Sequence, residues 1–303
     1  METSTKMSLV SIHIITYNQV KFIHETIQSA LIQDYENSEI VIADDGSTDG
    51  TREIILEYAK KFPEKIIPLV GGPNLGITGN SNRGLIACRG KYVAFMGGDD
   101  SFLPGKIAKQ VEWLDANENR VLCYHDIDVY DSETGKTLYL WSEKYRSREG
   151  NAKTIIKHGT FFGATSVMIR RQPHLLFNEK IPTASDWFMW FEILENQSGL
   201  IGYVDGVYAR YRRHTNNITL TGGHHLHDAL ATLAAIEVFA PNKYKWECEQ
   251  KRAEIYFLEA YKNLLTRNFK VLFLRLFQSV RVCRGFWIAP IKLLISKIFR
   301  LKL

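Results

Sequence analysis

The chain has 303 residues, 45% of them apolar and 23% charged, which is the make-up of a globular protein able to bury a real core. Disordered, collagen-like and disulfide-scaffold proteins are excluded. The net charge is +5, but nine Lys or Arg and no acidic residue lie between Arg267 and Leu303, leaving the rest at −4, so the positive charge belongs to one tail and gives no nucleic-acid-binding surface.

Short apolar runs at Leu9–Ile15, Glu39–Ala43, Lys65–Val70, Lys91–Met96 and Arg120–His125 predict strands. Helix-like stretches separate them at Val20–Gln33, Thr51–Lys61, Thr78–Cys88 and Pro104–Asn117. This alternation predicts βαβ units: an α/β fold with a mostly parallel, Rossmann-like sheet flanked by helices. Tyr139–Gly163 is irregular and charged, a loop or lid. Strand-like Ala164–Arg170, helix-like Asp186–Glu195 and strand-like Leu200–Tyr211 follow. Only helices are expected after Gly222-Gly223, the longest over Tyr244–Arg267, which places a boundary near 222: a domain over 1–222 and a helical region over 223–303. Cys88, Cys123, Cys248 and Cys283 stand far apart and read as buried thiols in a reducing compartment. No signal-peptide pattern and no apolar run of spanning length is present, so a cytoplasmic protein is expected.

Ligands of open parallel α/β sheets collect at the carboxyl ends of the strands, and polar clusters fall there. Thr16-Tyr17-Asn18 follows the first strand; Asn18 reads as a helix cap, or Tyr17 as a ring that stacks on a base. Asp44-Asp45-Gly46-Ser47-Thr48-Asp49-Gly50 follows the second, where adjacent carboxylates need a partner or ligand. A calcium loop counted from Asp45 fails, because its twelfth position is Leu56. Gly97-Gly98-Asp99-Asp100 follows the fourth strand. Paired carboxylates beside glycines suit a divalent metal, Mn²⁺ or Mg²⁺, that in turn holds substrate phosphates.

Ile14-Ile15-Thr16-Tyr17-Asn18, Ile42 to Asp49, Asn74-Leu75-Gly76 with Asn82-Arg83-Gly84, and Tyr92 to Asp100 together resemble the family 2 glycosyltransferases of GT-A fold. The resemblance covers about residues 7–222. It implies that Thr16, Tyr17 and Asp45 contact the nucleoside, that Arg83 lies near the phosphates, and that Asp99 and Asp100 fill the metal-binding motif, Asp100 as the direct ligand. Ser185-Asp186-Trp187 resembles the family's acidic motif at a helix start, making Asp186 the catalytic base; a capping role competes for that residue. Tyr211 to Asn217 matches a segment near the diphosphate, so Arg212 and His214 join the donor site. The sequence departs from the family at Met96-Gly97-Gly98, which lacks a further Asp, and at Ser81 and Ser185. His224, His225 and His227 read as solvated linker.

The resemblance implies an inverting transferase, with a nucleotide-diphosphate sugar donor (uridine favoured) and a hydroxyl of a glycan or lipid-linked acceptor. Cell-surface polysaccharide assembly is the implied setting. A sugar-phosphate nucleotidyltransferase and a non-catalytic nucleotide-sugar binder are the alternatives. On a helical wheel Phe269, Leu272, Phe273, Leu276 and Val280 share a face, and a second amphipathic piece follows Pro290. This basic, apolar tail is expected to hold the protein on the anionic inner face of the cell membrane without spanning it, or else to pack on the catalytic domain.

Overall fold

The computed structural model describes residues 7–181, 183, 185–215, 217 and 225–282. Its first half is β1 (Val10–Thr16), α1 (Ile23–Leu31), β2 (Ser38–Asp44), α2 (Thr51–Lys61), β3 (Ile66–Leu69), α3 (Gly76–Ala87), β4 (Tyr92–Gly97), β5 (Ser101–Phe102) and α4 (Lys106–Asp115). Then come β6 (Arg120–Asp131), β7 (Thr137–Leu140), α5 (Trp141–Lys144), α6 (Ala152–His158), a short 3₁₀ turn, β8 (Met168–Arg170), α7 (Asp186–Asn196) and β9 (Leu200–Arg213). Helices α8 (His225–Phe239), α9 (Lys245–Leu265) and α10 (Phe269–Val282) close the described chain.

One sheet runs in the order β3-β2-β1-β4-β8-β6-β9-β5, with β7 beside β6. The first four strands are parallel, as are β6 and β9. The short β8 runs antiparallel between β4 and β6, and β5 runs antiparallel to β9. Alternate side chains enter opposite cores, because successive strand residues point to opposite faces. Ile40, Ile42, Tyr92, Ala94 and Met96 pack with Ile23, Ile27, Ile55 and Ile107 on α1, α2 and α4. Val41, Val93, Phe95, Leu122 and Tyr124 pack with Leu85, Ile155 and Trp190 on α3, α6 and α7. Both faces are dry, which is why these strands read as continuous apolar runs. α3 lies so close to β1 that a methyl on Gly84 would come 2.3 Å from His13 Nε2.

The charged stretch expected as one loop contains three elements. β7 forms a hairpin on β6, α5 makes one turn, and Asn151 and Thr154 build a capping box on α6. Leu233, Ile236 and Cys248 of α8 and α9 join the core under α7. The boundary expected near 222 lies outside the described residues, as do His224, Cys283 and everything after Val282.

α10 divides the apolar face expected on it. Leu272 is buried, and Ser279 donates to the Ala253 carbonyl of α9 at 2.8 Å. Phe269, Phe273 and Phe277 are more than half exposed. Among the described residues no helix is long and apolar enough to cross a membrane.

Candidate active site

Strands β1, β2 and β4 end side by side, and their carboxyl ends hold the expected residues. Thr16 is buried, and its hydroxyl donates to Gln19 Oε1 at 2.8 Å. Gly98 approaches so closely that a methyl there would lie 2.3 Å from Gln19 Oε1 and 2.6 Å from Thr16 Cβ; only glycine fits. Tyr17 is half exposed, its ring open to a partner. Asn18 does not cap the next helix. That helix begins at Ile23, while the Asn18 side chain accepts the Thr48 N–H at 2.9 Å and ties the first loop to the second.

In the second loop the two carboxylates diverge. Asp44 is fully buried and accepts the N–H and hydroxyl of Ser47. Asp45 Oδ1 accepts the Leu75 N–H at 2.7 Å, and Oδ2 has no hydrogen-bond partner among the described residues. Asp49, just before Gly50 at the N-cap of α2, accepts the Thr51 N–H and hydroxyl and the Val20 N–H and so ties the start of α2 to the first loop. Arg83 stands behind this edge. Its Nη2 donates to the carbonyls of Asp44 and Leu69 and to Asn80 Oδ1, stitching the ends of β2 and β3 together.

The acidic pair after β4 is held where three segments distant in sequence meet: the turn itself, α1 and the end of β9. Thr26 of α1 donates to the carbonyls of Gly98 and Asp100 at 3.0 and 2.7 Å, fixing the turn. Pairing of Ser101 with Arg210 brings the end of β9 alongside. The Arg212 N–H then donates to Asp100 Oδ1 at 3.1 Å, and its Nε to the Asp99 carbonyl at 2.8 Å. Its Nη2 reaches Glu25 of α1 at 2.5 Å. His214 Nε2 meets Asp99 Oδ2 at 2.9 Å, its ring 4.9 Å from that of Phe22. Asp100 is only 4% exposed. Burial first, and then the neighbouring Asp99 charge, push its carboxyl well above the ordinary carboxylate range, against the pull of Arg212.

Arg212 and His214 therefore belong with the acidic pair, as expected, but hold its carboxylates instead of facing open space. Sequence reasoning missed Glu25, Gln19, Thr26 and Phe22, all on the unremarkable stretch after the first strand. Their roles depend on which strand end lies opposite, and no local signal carries that.

The acidic pair fits a divalent cation. A methyl built on Gly97 would lie 2.8 Å from Asp99 Oδ1 and 3.6 Å from Asp100 Oδ2. The oxygens not used by His214 and Arg212 thus converge above a residue without a side chain. Among the described residues no cluster of three or more His, Cys, Asp or Glu forms a complete metal shell. The donor set is that of Mg²⁺-type sites, where one or two carboxylates leave the remaining positions to phosphates and water.

Asp186 is the first residue of α7, after Ser185, whose hydroxyl lies 3.1 Å from that of Thr78 on α3. Among the described residues the Asp186 Oδ1 accepts the adjacent Trp187 N–H, at 2.9 Å. Desolvation raises its pKa above the usual value, against that hydrogen bond and the influence of the Trp190 indole. A residue serving purely as a cap would bond N–H groups two or three positions on; Asp186 does not.

Comparisons with known proteins give the family and the fold. The family model described as Glycosyl transferase family 2 matches residues 11–175, which include Thr16, Asp45, Arg83, Asp99 and Asp100. An uncharacterized protein of Mycobacterium tuberculosis is 33% identical over 217 residues, 70% of this chain and 60% of that protein. The chain thus spans about 60% of the length of that relative. An uncharacterized glycosyltransferase of Haemophilus influenzae is 29% identical over 71% of this chain and 69% of its own length. Among solved structures, S. aureus TarS 1–349 in complex with UDP-GlcNAc aligns with a TM-score of 0.62 at 19% identity, over 82% of this chain and 72% of that one. The mannosyltransferase PcManGT of Pyrobaculum calidifontis, in complex with GDP-Man and Mn²⁺, gives 0.57 at 15% identity over 93% and 88%. At such identities the likeness is one of fold, and the fold is the GT-A type.

Proposed function

The chain belongs to glycosyl transferase family 2, and on that basis we propose that it is an inverting, metal-dependent hexosyltransferase. It moves a sugar from a nucleotide-diphosphate donor, preferably UDP-linked, to a hydroxyl of a glycan or lipid-linked acceptor of the cell envelope. The observation that carries this reading is the convergence of Asp99 and Asp100 over Gly97, held by Arg212 and His214. That TarS is solved with UDP-GlcNAc and PcManGT with GDP-Man and Mn²⁺ supports it.

Tyr17 stacks on the base, Thr16 lies beneath it, and the unpaired Oδ2 of Asp45 accepts from base or ribose. Asp99 and Asp100 hold the divalent cation, which when bound supplies charge to offset the departing diphosphate. Arg212, pinned between Glu25 and the acidic pair, fixes the aim of both carboxylates. Arg83 keeps the ends of β2 and β3 in place beside the phosphates. The Asp186 carboxylate takes the proton of the acceptor hydroxyl as the acceptor oxygen bonds to the anomeric carbon and the bond from that carbon to the diphosphate breaks.

With Mn²⁺ present, a donor at about 100 times its Kd stabilises the fold by roughly 2.7 kcal/mol, raising Tm by about 4 °C. A panel of UDP-sugars and GDP-mannose should contain one donor that does so, and its nucleoside diphosphate should be released with Mn²⁺ and not after EDTA. Release of pyrophosphate from a nucleoside triphosphate and a sugar phosphate would instead mark a nucleotidyltransferase. A donor that binds without any turnover would mark a non-catalytic binder.

We also propose that the basic end of the chain rests on an anionic leaflet in the cytoplasm. The exposed Phe269, Phe273 and Phe277 beside Arg267, Lys270 and Arg281 are what supports this. Truncation after Asn268 should move the protein to the soluble fraction, and high salt alone should release it only partly. Phe273→Glu with Phe277→Glu alters only exposed positions and should weaken binding to phosphatidylglycerol vesicles with Tm unchanged. Equal vesicle binding by this variant would sink the membrane reading.

A further inference from the structure

The segment between β7 and β8 builds a feature that the catalytic reading leaves unused. Around α6 an open cleft of about 640 Å³ is lined by Arg146, Arg148, Lys153, Lys157 and His158. Glu149 is the one acid in that lining and accepts the Tyr203 N–H at 3.4 Å, and Glu247, from outside the cleft, pairs with Lys153 at 2.5 Å. Arg146, Arg148 and Lys157 have no carboxylate partner among the described residues.

The arginine is held and not merely draped over the surface. The Arg148 N–H donates to Tyr124 Oη at 2.6 Å, the Tyr124 hydroxyl lies 2.9 Å from the Arg148 carbonyl, and the Arg148 Nη1 donates to the Arg146 carbonyl at 2.7 Å. Lys251 of α9 adds a charge near Gly159, at the end of α6, though Glu254 lies 3.1 Å from its Nζ. Burial first, then Arg148, Lys157 and Lys251, push the His158 ring down to about 4. A concave surface with uncompensated like charge focuses a positive field, and an anion that enters it relieves the repulsion.

Helix α6, which lines the cleft, packs on the helix that begins at Asp186. Trp187, next to Asp186, donates its indole N–H to the Ile155 carbonyl of α6 at 3.0 Å. We propose that this cleft is an acceptor subsite, binding a phosphate or diphosphate group that the acceptor carries. The proposal rests on the transferase reading for its meaning, but its test needs no turnover.

The full chain is kept with Mg²⁺ and saturating UDP, so that the donor site is filled. Inorganic pyrophosphate and glycerol phosphate are then titrated while histidine-ring NMR signals are followed, the His158 signal being identified by its loss in His158→Gln. Pyrophosphate should shift that signal saturably and move its titration midpoint upward, because a nearby anion favours the protonated ring. Arg146→Glu with Lys157→Glu changes two exposed side chains. It should weaken the response by at least about tenfold, as loss of a charge-assisted hydrogen bond does, with Tm and UDP binding unchanged. A response to pyrophosphate alone assigns a diphosphate-linked acceptor; equal responses to both probes assign an acceptor that carries a single phosphate group. A His158 signal that ignores both, or that moves equally in the double variant, overturns the proposal. Failure of both UDP and GDP to bind would strike the transferase reading and leave the His158 result to stand or fall by itself.

Discussion

Asp186→Asn is expected to lower kcat by about 10²–10⁴, or roughly 3–5 kcal/mol of barrier, with little change in Tm. Asparagine is isosteric and keeps an oxygen for the Trp187 N–H, so whatever Asp186 does for the start of α7 survives. What disappears is the capacity to accept a proton from the acceptor hydroxyl. The charge removed is one that desolvation already disfavours, so the fold does not suffer from its loss. The pH profile supplies a second readout. A base works only when ionised, and the Asp186 pKa is raised, so the acid limb of kcat/KM should lie above the ordinary aspartate range and vanish in the variant. The same shift has a stability consequence of definite sign. The folded state binds its proton more tightly than the unfolded chain, so this contribution is full below the ordinary aspartate pKa. It is lost as pH rises through the raised value, and Asp186→Asn should flatten that part of the stability curve. Near-normal turnover with a lowered Tm would show that Asp186 serves the helix and not the reaction.

Asp100→Asn should reduce metal-dependent turnover by about 10²-fold or more even at saturating Mn²⁺. The substitution keeps an acceptor for the Arg212 N–H and removes a charge that burial and Asp99 oppose. Folding should therefore be unimpaired, and Tm in EDTA should match or exceed that of the parent. The stabilisation by Mn²⁺ should shrink instead, because only the ionised carboxylate converging over Gly97 gains from a cation. Turnover within a few-fold of the parent would remove the metal role from Asp100.

The elements of the first half were legible because each is encoded within its own few residues. Val10–Thr16, Ser38–Asp44 and Tyr92–Gly97 are mostly apolar and buried on both faces, as strands between two helical layers are. The helices that follow carry one apolar stripe. The segment after β6 was less legible: its side chains are largely charged and exposed, so no buried face imposes a period, and β7 and α6 are set by a hairpin and a capping box. α10 shows the converse limit, since its apolar face is visible in the sequence but not the division by which Leu272 is buried and Phe273 exposed.

By itself, then, the sequence determined the α/β class, the strands of the parallel half-sheet, and the polar clusters at Thr16, Asp45 and Asp99-Asp100. Local periodicity and the turn residues after each strand are sufficient for that. Only the tertiary structure decided how the acidic pair is held. Asp100 accepts from a residue 112 positions away, Asp99 meets His214 across 115, and Arg212 reaches Glu25 across 187. Those contacts exist because β9 returns antiparallel to β5 beside the turn after β4. Strand pairing of that kind depends on which buried faces fit together across the whole chain, and no window of neighbouring residues contains it.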